Sequence, residues 1–175
     1  MIVKKMPILQ GFPDFETVKF FTGKFFQKYN FTPVFYDIET TGLSRNSTYL
    51  YLIGAVGIED ETWNFYQWMA ENANEEETIL RIFSQFLQQC DLLISYNGDR
   101  FDQPYLEARY EKYGIPSPFT GKQSLDLYLT LKPLKSLLKL SAMKQPCMEE
   151  FLGIKDRIYD LSLIHISEPT RLRRI

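Results

Sequence analysis

The sequence predicts a mixed α/β domain (α/β with α+β character) on one central sheet, and three observations carry that expectation. Three β-rich apolar segments follow one another after residue 31; the hydrophobic spacing then switches from a period of two to a period of 3.6; beyond that point helices alternate with short strands. With 175 residues, 45% hydrophobic and 15% aromatic, the chain is long enough for one globular core.

The elements follow in order. "PDFETVKFFTGKFFQKY" puts Val18, Phe21, Phe25 and Tyr29 on one helical face, with Asp14 as the N-cap behind Pro13. "TPVFYDIETT" reads as a strand, and "TYLYLIGAVGIED" and "TWNFYQWMA" as two more, joined by a tight acidic turn around Glu59, Asp60 and Glu61. Three such strands in succession form an antiparallel meander. "NANEEETILRIFSQFLQQC" has acids in its first turn, which suits the helix dipole, and then Ile79, Ile82, Phe83, Phe86 and Leu87 along one face. "DLLISYN" is a short buried strand, "FDQPYLEARYEKYGI" a helix ended by Gly114, and "SLDLY" a shorter strand; "LKPLKSLLKL" and "CMEEFLG" read as helical.

Composition excludes several classes. The N-terminal segment has no continuous apolar stretch followed by a small-residue cleavage site, and no later stretch approaches the length of a bilayer span. Cys90 and Cys147 lie far apart without metal-ligand spacing, so neither a disulfide framework nor a zinc site is expected. The expectation is a cytoplasmic protein with no membrane partner. "LSLIHISEPTR", Leu161 to Arg171, resembles a translated sequencing-library adapter, and residues 161–175 are therefore set aside as a non-native tail. That tail holds Arg171, Arg173 and Arg174 against Glu168, so the remaining chain is more acidic than the formal −2 of the whole. An acidic body does not grip nucleic acid by unspecific electrostatics alone, because such binding rests on many Lys and Arg contacts to phosphate. Metal ions could supply the missing positive charge. The expected organisation is a helical lead-in over 1–30 and one domain over 31–160.

The chemistry centres on "VFYDIETTGLS". Residues two apart on a strand face the same side, so Asp37 and Glu39 project together while Ile38 faces away. Like charges this close repel and raise at least one pKa unless a cation lies between them. Two solvated acids at a strand end would give the same pattern. "ISYNGDRFDQPYLEARY" separates the two readings, because it brings Asn97 and Gly98 to a turn and opens a helix at Phe101 and Asp102. Asp102 thus emerges at the C-terminal edge of a strand, where α/β sheets hold ligands. It would also serve as an ordinary helix-start acid. Taken together, the three acids point to a divalent metal site, and hard oxygen donors without a nearby histidine favour Mg²⁺ or Mn²⁺ over zinc.

"YDIETTGL" and "YNGDRFDQPYL" resemble the first and second motifs of the DEDD-type 3′–5′ exonucleases. The neighbouring "TYLYLIGAVG", "SLDLYLTLKPLKSLLKL" and "MEEFLGIKDRIYD" resemble the YprB-type ribonuclease-H-like domain, over about residues 31–160. The resemblance implies a ribonuclease-H-like fold, a five-stranded mixed sheet flanked by helices with the last helix missing. It implies that Asp37, Glu39 and Asp102 ligate two divalent cations and hydrolyse phosphodiester bonds at single-stranded nucleic-acid 3′ ends, DNA or RNA. It further implies that Thr40, Thr41, Gly42 and Leu43 hold the terminal nucleotide while Asn97 and Phe101 shape its pocket.

The same family pattern has a fourth carboxylate on a late helix, preceded by a Tyr or His that orients water. This chain is expected to end before it, leaving the fragment inactive or weak. His165 lies inside the adapter-like segment and is not assigned that role, while Asp156 and Asp160 read as solvated loop residues. Asp126 reads as a strand-to-helix cap, with a supporting place behind the metal ligands as its second role. Lys132, Lys135 and Lys139 read as a solvated face, and Tyr96, Tyr105, Tyr110 and the Trp63–Trp68 aromatics as core. Two other functions remain open on the same residues: a structure-specific endonuclease, and a catalytically degenerate nucleic-acid-binding module.

Overall fold

The computed structural model describes residues 1–8, 14–26 and 31–153. Tyr29, Asp156, Asp160, His165 and the adapter-like tail lie outside the described residues. The strands are β1 (Ile2–Pro7), β2 (Pro33–Thr40), β3 (Leu50–Glu59), β4 (Thr62–Met69), β5 (Leu92–Ser95) and β6 (Gln123–Asp126). The helices are α1 (Phe15–Phe26), α2 (Glu76–Phe86), α3 (Asp102–Lys112), α4 (Leu127–Leu131) and α5 (Gln145–Phe151). The chain divides into two compact units, Met1–Leu127 and Tyr128–Ile175, and the whole sheet lies in the first.

The sheet order is β1-β4-β3-β2-β5-β6. β2, β3 and β4 form the expected antiparallel meander, while β5 pairs parallel with β2 and β6 parallel with β5. Among the described residues the sheet therefore has six strands and not five. The extra strand, β1, runs antiparallel to β4 at the edge. It escapes a pattern search because its side chains are almost all exposed, so main-chain hydrogen bonds hold it and no burial period marks it. The N-terminal lead-in is accordingly part strand and part helix.

Local chemistry explains the element ends. The β3–β4 hairpin turns through Asp60 and Glu61, both with positive φ, as two-residue hairpins require. α1 is capped as predicted, for Asp14 Oδ1 accepts the Thr17 N–H at 2.8 Å. Of the face expected to be buried, Val18 is buried but Phe21 is 66% exposed, Thr22 being covered in its place, while the Phe25 side chain and Tyr29 lie outside the described residues. α3 closes in a Schellman arrangement around Gly114 at φ 63°, with Ile115 N–H bonded to the Tyr110 carbonyl and Gly114 N–H to that of Glu111. "LKPLKSLLKL" does not continue as an α-helix. Pro133 lacks an N–H and falls in a tight helical turn, Lys132–Leu134, and Lys139 then takes a positive φ.

Alternation along the strands divides the core between the sheet faces. Val34, Tyr36 and Ile38 of β2 pack with Ile79, Leu80 and Phe83 of α2 and Tyr105, Leu106 and Tyr110 of α3. Phe31, Leu92, Ile94 and Leu125 form a separate cluster, with Phe35 against it. Trp63 and Trp68 are buried and Tyr66 is half-buried, as expected of core aromatics. Among the described residues, no helix is long and apolar enough to cross a membrane.

Candidate active site

β2 places the first two acids. Tyr36 and Ile38 are buried, Asp37 between them is exposed, and Glu39 is half-buried, as the two-residue period requires. Asp37 stands opposite Gly54 on β3, so no side chain faces its carboxylate across the pair. After Glu39 the pairing slips by one residue, from Glu39 with Leu52 to Thr40 with Leu50. Irregularities of this kind re-aim the chain beside functional sites. Here the slip starts the loop that carries Thr41, Gly42 and Leu43.

The third acid arrives on α3. Asp102 is buried, and its Oδ1 accepts the N–H of Ile38 at 3.1 Å. That bond ties the start of α3 to β2 between Asp37 and Glu39. The turn before α3 is built tightly. Asn97 has φ +67°, and the two oxygens of Asp126 accept the N–H groups of Asn97 at 2.9 Å and Asp99 at 3.2 Å. Asp126, read from sequence as a cap of its own helix, therefore braces the turn that delivers Asp102. A Cβ on Gly98 would lie 2.4 Å from Ser95 Oγ and 3.5 Å from Asp102 Oδ2. Gly98→Ala is therefore expected to cost about 1–3 kcal/mol through overpacking, read as a lower urea midpoint at unchanged slope.

Electrostatics set these acids apart. Although Asp37 is exposed at the surface, the protein atoms around its carboxyl strip part of its hydration, and with the charges of Asp102 and Glu39 this pushes it up to about 7. Asp102 is pushed up to about 6 by burial, with the Ile38 N–H pulling the other way and Asp126 and Glu39 adding repulsion. Burial also raises Glu39. Among the described residues, no Lys or Arg forms an ion pair with any of the three.

Glu76 shows the contrast. It is fully buried, and Arg109 Nε bonds its Oε1 at 2.7 Å while Arg109 Nη2 bonds Oε2. The Leu50 N–H adds a bond at 2.8 Å and the Tyr113 hydroxyl one at 2.7 Å. This fold neutralises one buried carboxylate completely and leaves Asp37 and Asp102 uncompensated. Sequence reading missed the Glu76–Arg109 pair, since Glu76 looks like one more first-turn acid in "NEEET"; only its place in the amphipathic pattern, three before Ile79 and four before Leu80, hints that it points inward.

As they stand, no three His, Cys, Asp or Glu side chains among the described residues meet closely enough to hold a metal ion. The donor set still fits a hard divalent cation: it is all carboxylate oxygen, mutually repelling and, among the described residues, without a cationic partner. Of the other candidates, Leu43 is 85% exposed at the loop tip. Gly42 packs so closely on Thr48 that a Cβ would lie 2.9 Å from its Cγ2. Asn97 and Phe101 lie half-buried on the turn leading to Asp102. Thr40 bonds the Gly42 carbonyl at 2.8 Å, and Thr41 N–H bonds that of Tyr49 at 3.0 Å.

Comparison with known proteins agrees with this architecture. A sequence profile described as the RNase H superfamily matches residues 34–163. A DNA polymerase of Archaeoglobus fulgidus is 29% identical over 108 residues, 50% of this chain and 13% of the polymerase. The chain spans between 2% and 13% of the curated polymerases it matches. The family B DNA polymerase of Pyrobaculum calidifontis superposes with a TM-score of 0.59 at 18% identity, over 74% of this chain and 19% of that one. Escherichia coli exonuclease I, in a zinc-bound complex with single-stranded DNA, gives 0.56 at 15% identity, over 72% of this chain and 36% of that one. At such identities the structural likeness speaks for the fold, a ribonuclease-H-like mixed sheet.

Proposed function

The chain belongs to the RNase H superfamily, and from that premise we propose that it carries the DEDD-type, YprB-like 3′–5′ exonuclease site its motifs resemble. The substrate is the 3′ end of single-stranded DNA or RNA, and the cofactors are two divalent cations, Mg²⁺ or Mn²⁺. One observation supports this above the others: Asp37 and Asp102 keep raised pKa values and no basic partner among the described residues, in a fold that pairs Glu76 with Arg109. Uncompensated carboxylates of this kind are costly unless a cation comes to them.

Asp37, Glu39 and Asp102 would hold the ions. Bound there, the ions supply an activated water and neutralise charge on the leaving oxygen. The chain's own residues do the rest. The backbone of Thr40, Thr41 and Gly42 and the exposed Leu43 side chain receive the terminal nucleotide, the small glycine letting the ligand approach. Asn97 and Phe101 shape its pocket. The zinc in the exonuclease I complex is a property of that protein; an oxygen-only donor set without histidine favours Mg²⁺ or Mn²⁺ here.

The test is product length. Incubated with a 5′-labelled single strand and Mg²⁺ or Mn²⁺, the protein is expected to shorten it one nucleotide at a time from the 3′ end. Internal fragments would favour an endonuclease on the same fold. A strand that binds and is never shortened, with Asp37→Ala making no difference to binding, would favour a degenerate binding module.

A further inference from the structure

We infer that Thr48, Tyr105 and Arg109 are positioning residues that fix the nucleotide-receiving loop at a set distance from Asp102. This inference rests on the exonuclease reading above. The geometry lies along one stripe of α3: Asp102, Tyr105 and Arg109 are three and seven residues apart, hence on one helical face. Each reaches a different part of the site. Asp102 takes the Ile38 N–H of β2. Tyr105 meets Thr48 across the loop, hydroxyl to hydroxyl at 2.8 Å. Arg109, clamped by Glu76 of α2, donates from Nη1 to the Arg45 carbonyl at 3.0 Å.

Thr48 is the hub on the loop side. Its Oγ1 lies 3.0 Å from the Gly42 carbonyl and 2.6 Å from that of Ser44. A threonine hydroxyl has one proton, so those two carbonyls compete for it, and Tyr105 is left as the donor in the third contact. The loop carbonyls next to Leu43 are thereby tied through one oxygen to the helix that carries Asp102. Arg45 closes the ring, its Nη1 3.3 Å from the Pro104 carbonyl. A loop held this way arrives ordered, so binding a nucleotide there does not have to fund the ordering.

Thr48→Val keeps the side-chain shape and removes the hydroxyl, and Thr48→Ser keeps the hydroxyl. The probe is a fluorescent single-stranded oligothymidylate with a free 3′ hydroxyl and a phosphorothioate at its last linkage to slow hydrolysis, read by anisotropy at fixed salt. Thr48→Val is expected to weaken binding about 5-fold, the worth of one ordinary hydrogen bond, and to speed amide exchange across residues 42–48. Thr48→Ser is expected to restore both to within about twofold. Binding unchanged in Thr48→Val despite a loosened loop would overturn the positioning role alone, as would equal weakening in Thr48→Ser. A native chain that binds no oligonucleotide would reject the exonuclease reading itself, and this role with it.

Discussion

Asp102→Asn is expected to lower metal-dependent shortening of a 3′ end by about 10³-fold relative to the unsubstituted chain, the several kcal/mol that a bound cation supplies to such a displacement. Mn²⁺ affinity should fall by more than the roughly 10–100-fold that loss of an outer-shell partner costs. Asparagine keeps an oxygen for the Ile38 N–H, so the tie between α3 and β2 survives the change. Stability should move the other way from activity. A carboxyl whose folded pKa is raised holds its proton more tightly in the native state, so its contribution is full below about pH 4 and is lost as pH rises through about 6 for Asp102. Removing the charge therefore helps above that window and not below it. At pH 8 the melting temperature should rise by about 2–4 °C, the equivalent of roughly 1 kcal/mol for a chain of this size, and the gain should vanish near pH 4. Activity and stability falling together would instead mark Asp102 as a structural cap. Mn²⁺ affinity of the native chain should itself weaken on acidification through about pH 7 and then 6, since Asp37 and Asp102 must release protons to bind.

Breaking the Glu76–Arg109 pair from either side is expected to cost about 3–5 kcal/mol, because each single change strands a buried charge. Glu76→Gln leaves Arg109 fully buried without its carboxylate, and Arg109→Met leaves Glu76 with only the Leu50 N–H and the Tyr113 hydroxyl. Glu76→Leu combined with Arg109→Met should be more stable than either single change, since replacing both charges removes their desolvation cost. It should still fall short of the native chain. The buried Leu50 N–H loses its partner, at a cost of about 1–3 kcal/mol, whereas the half-buried Tyr113 hydroxyl and the carbonyl of the exposed Arg45 can turn to water. Urea unfolding of the four proteins ranks their stabilities directly. Single changes within about 1 kcal/mol of native would mean that water reaches the pair.

Much of the scaffold was legible because its signals are local. The meander follows from β-rich runs around an acidic turn, α2 from acids leading into a 3.6-residue apolar stripe, and the end of α3 from Gly114 at positive φ. The paired projection of Asp37 and Glu39 needed only the period of a strand. β1 was not legible, since its partner β4 lies some sixty residues away and its exposed side chains record no burial. On α1, Val18 is buried as expected but Phe21 is not, for a related reason: Phe21 is apolar yet 66% exposed, and nothing adjacent in sequence says which side of a short helix will be covered.

By itself the sequence determined where the acids sit along the chain, which of them share a strand face, and that Asp102 opens a helix after a glycine turn. Period and turn chemistry act between neighbours, so a string of residues carries them in full. Only the tertiary structure decided which carboxylates are neutralised. Glu76 and Arg109 meet across helices, Asp126 reaches back to brace the Asn97–Asp99 turn, and Asp37 and Asp102 keep their raised pKa values without a basic partner among the described residues. Charge pairing and desolvation depend on distances through space between residues far apart in the chain, and those distances exist only once the sheet and its helices have packed.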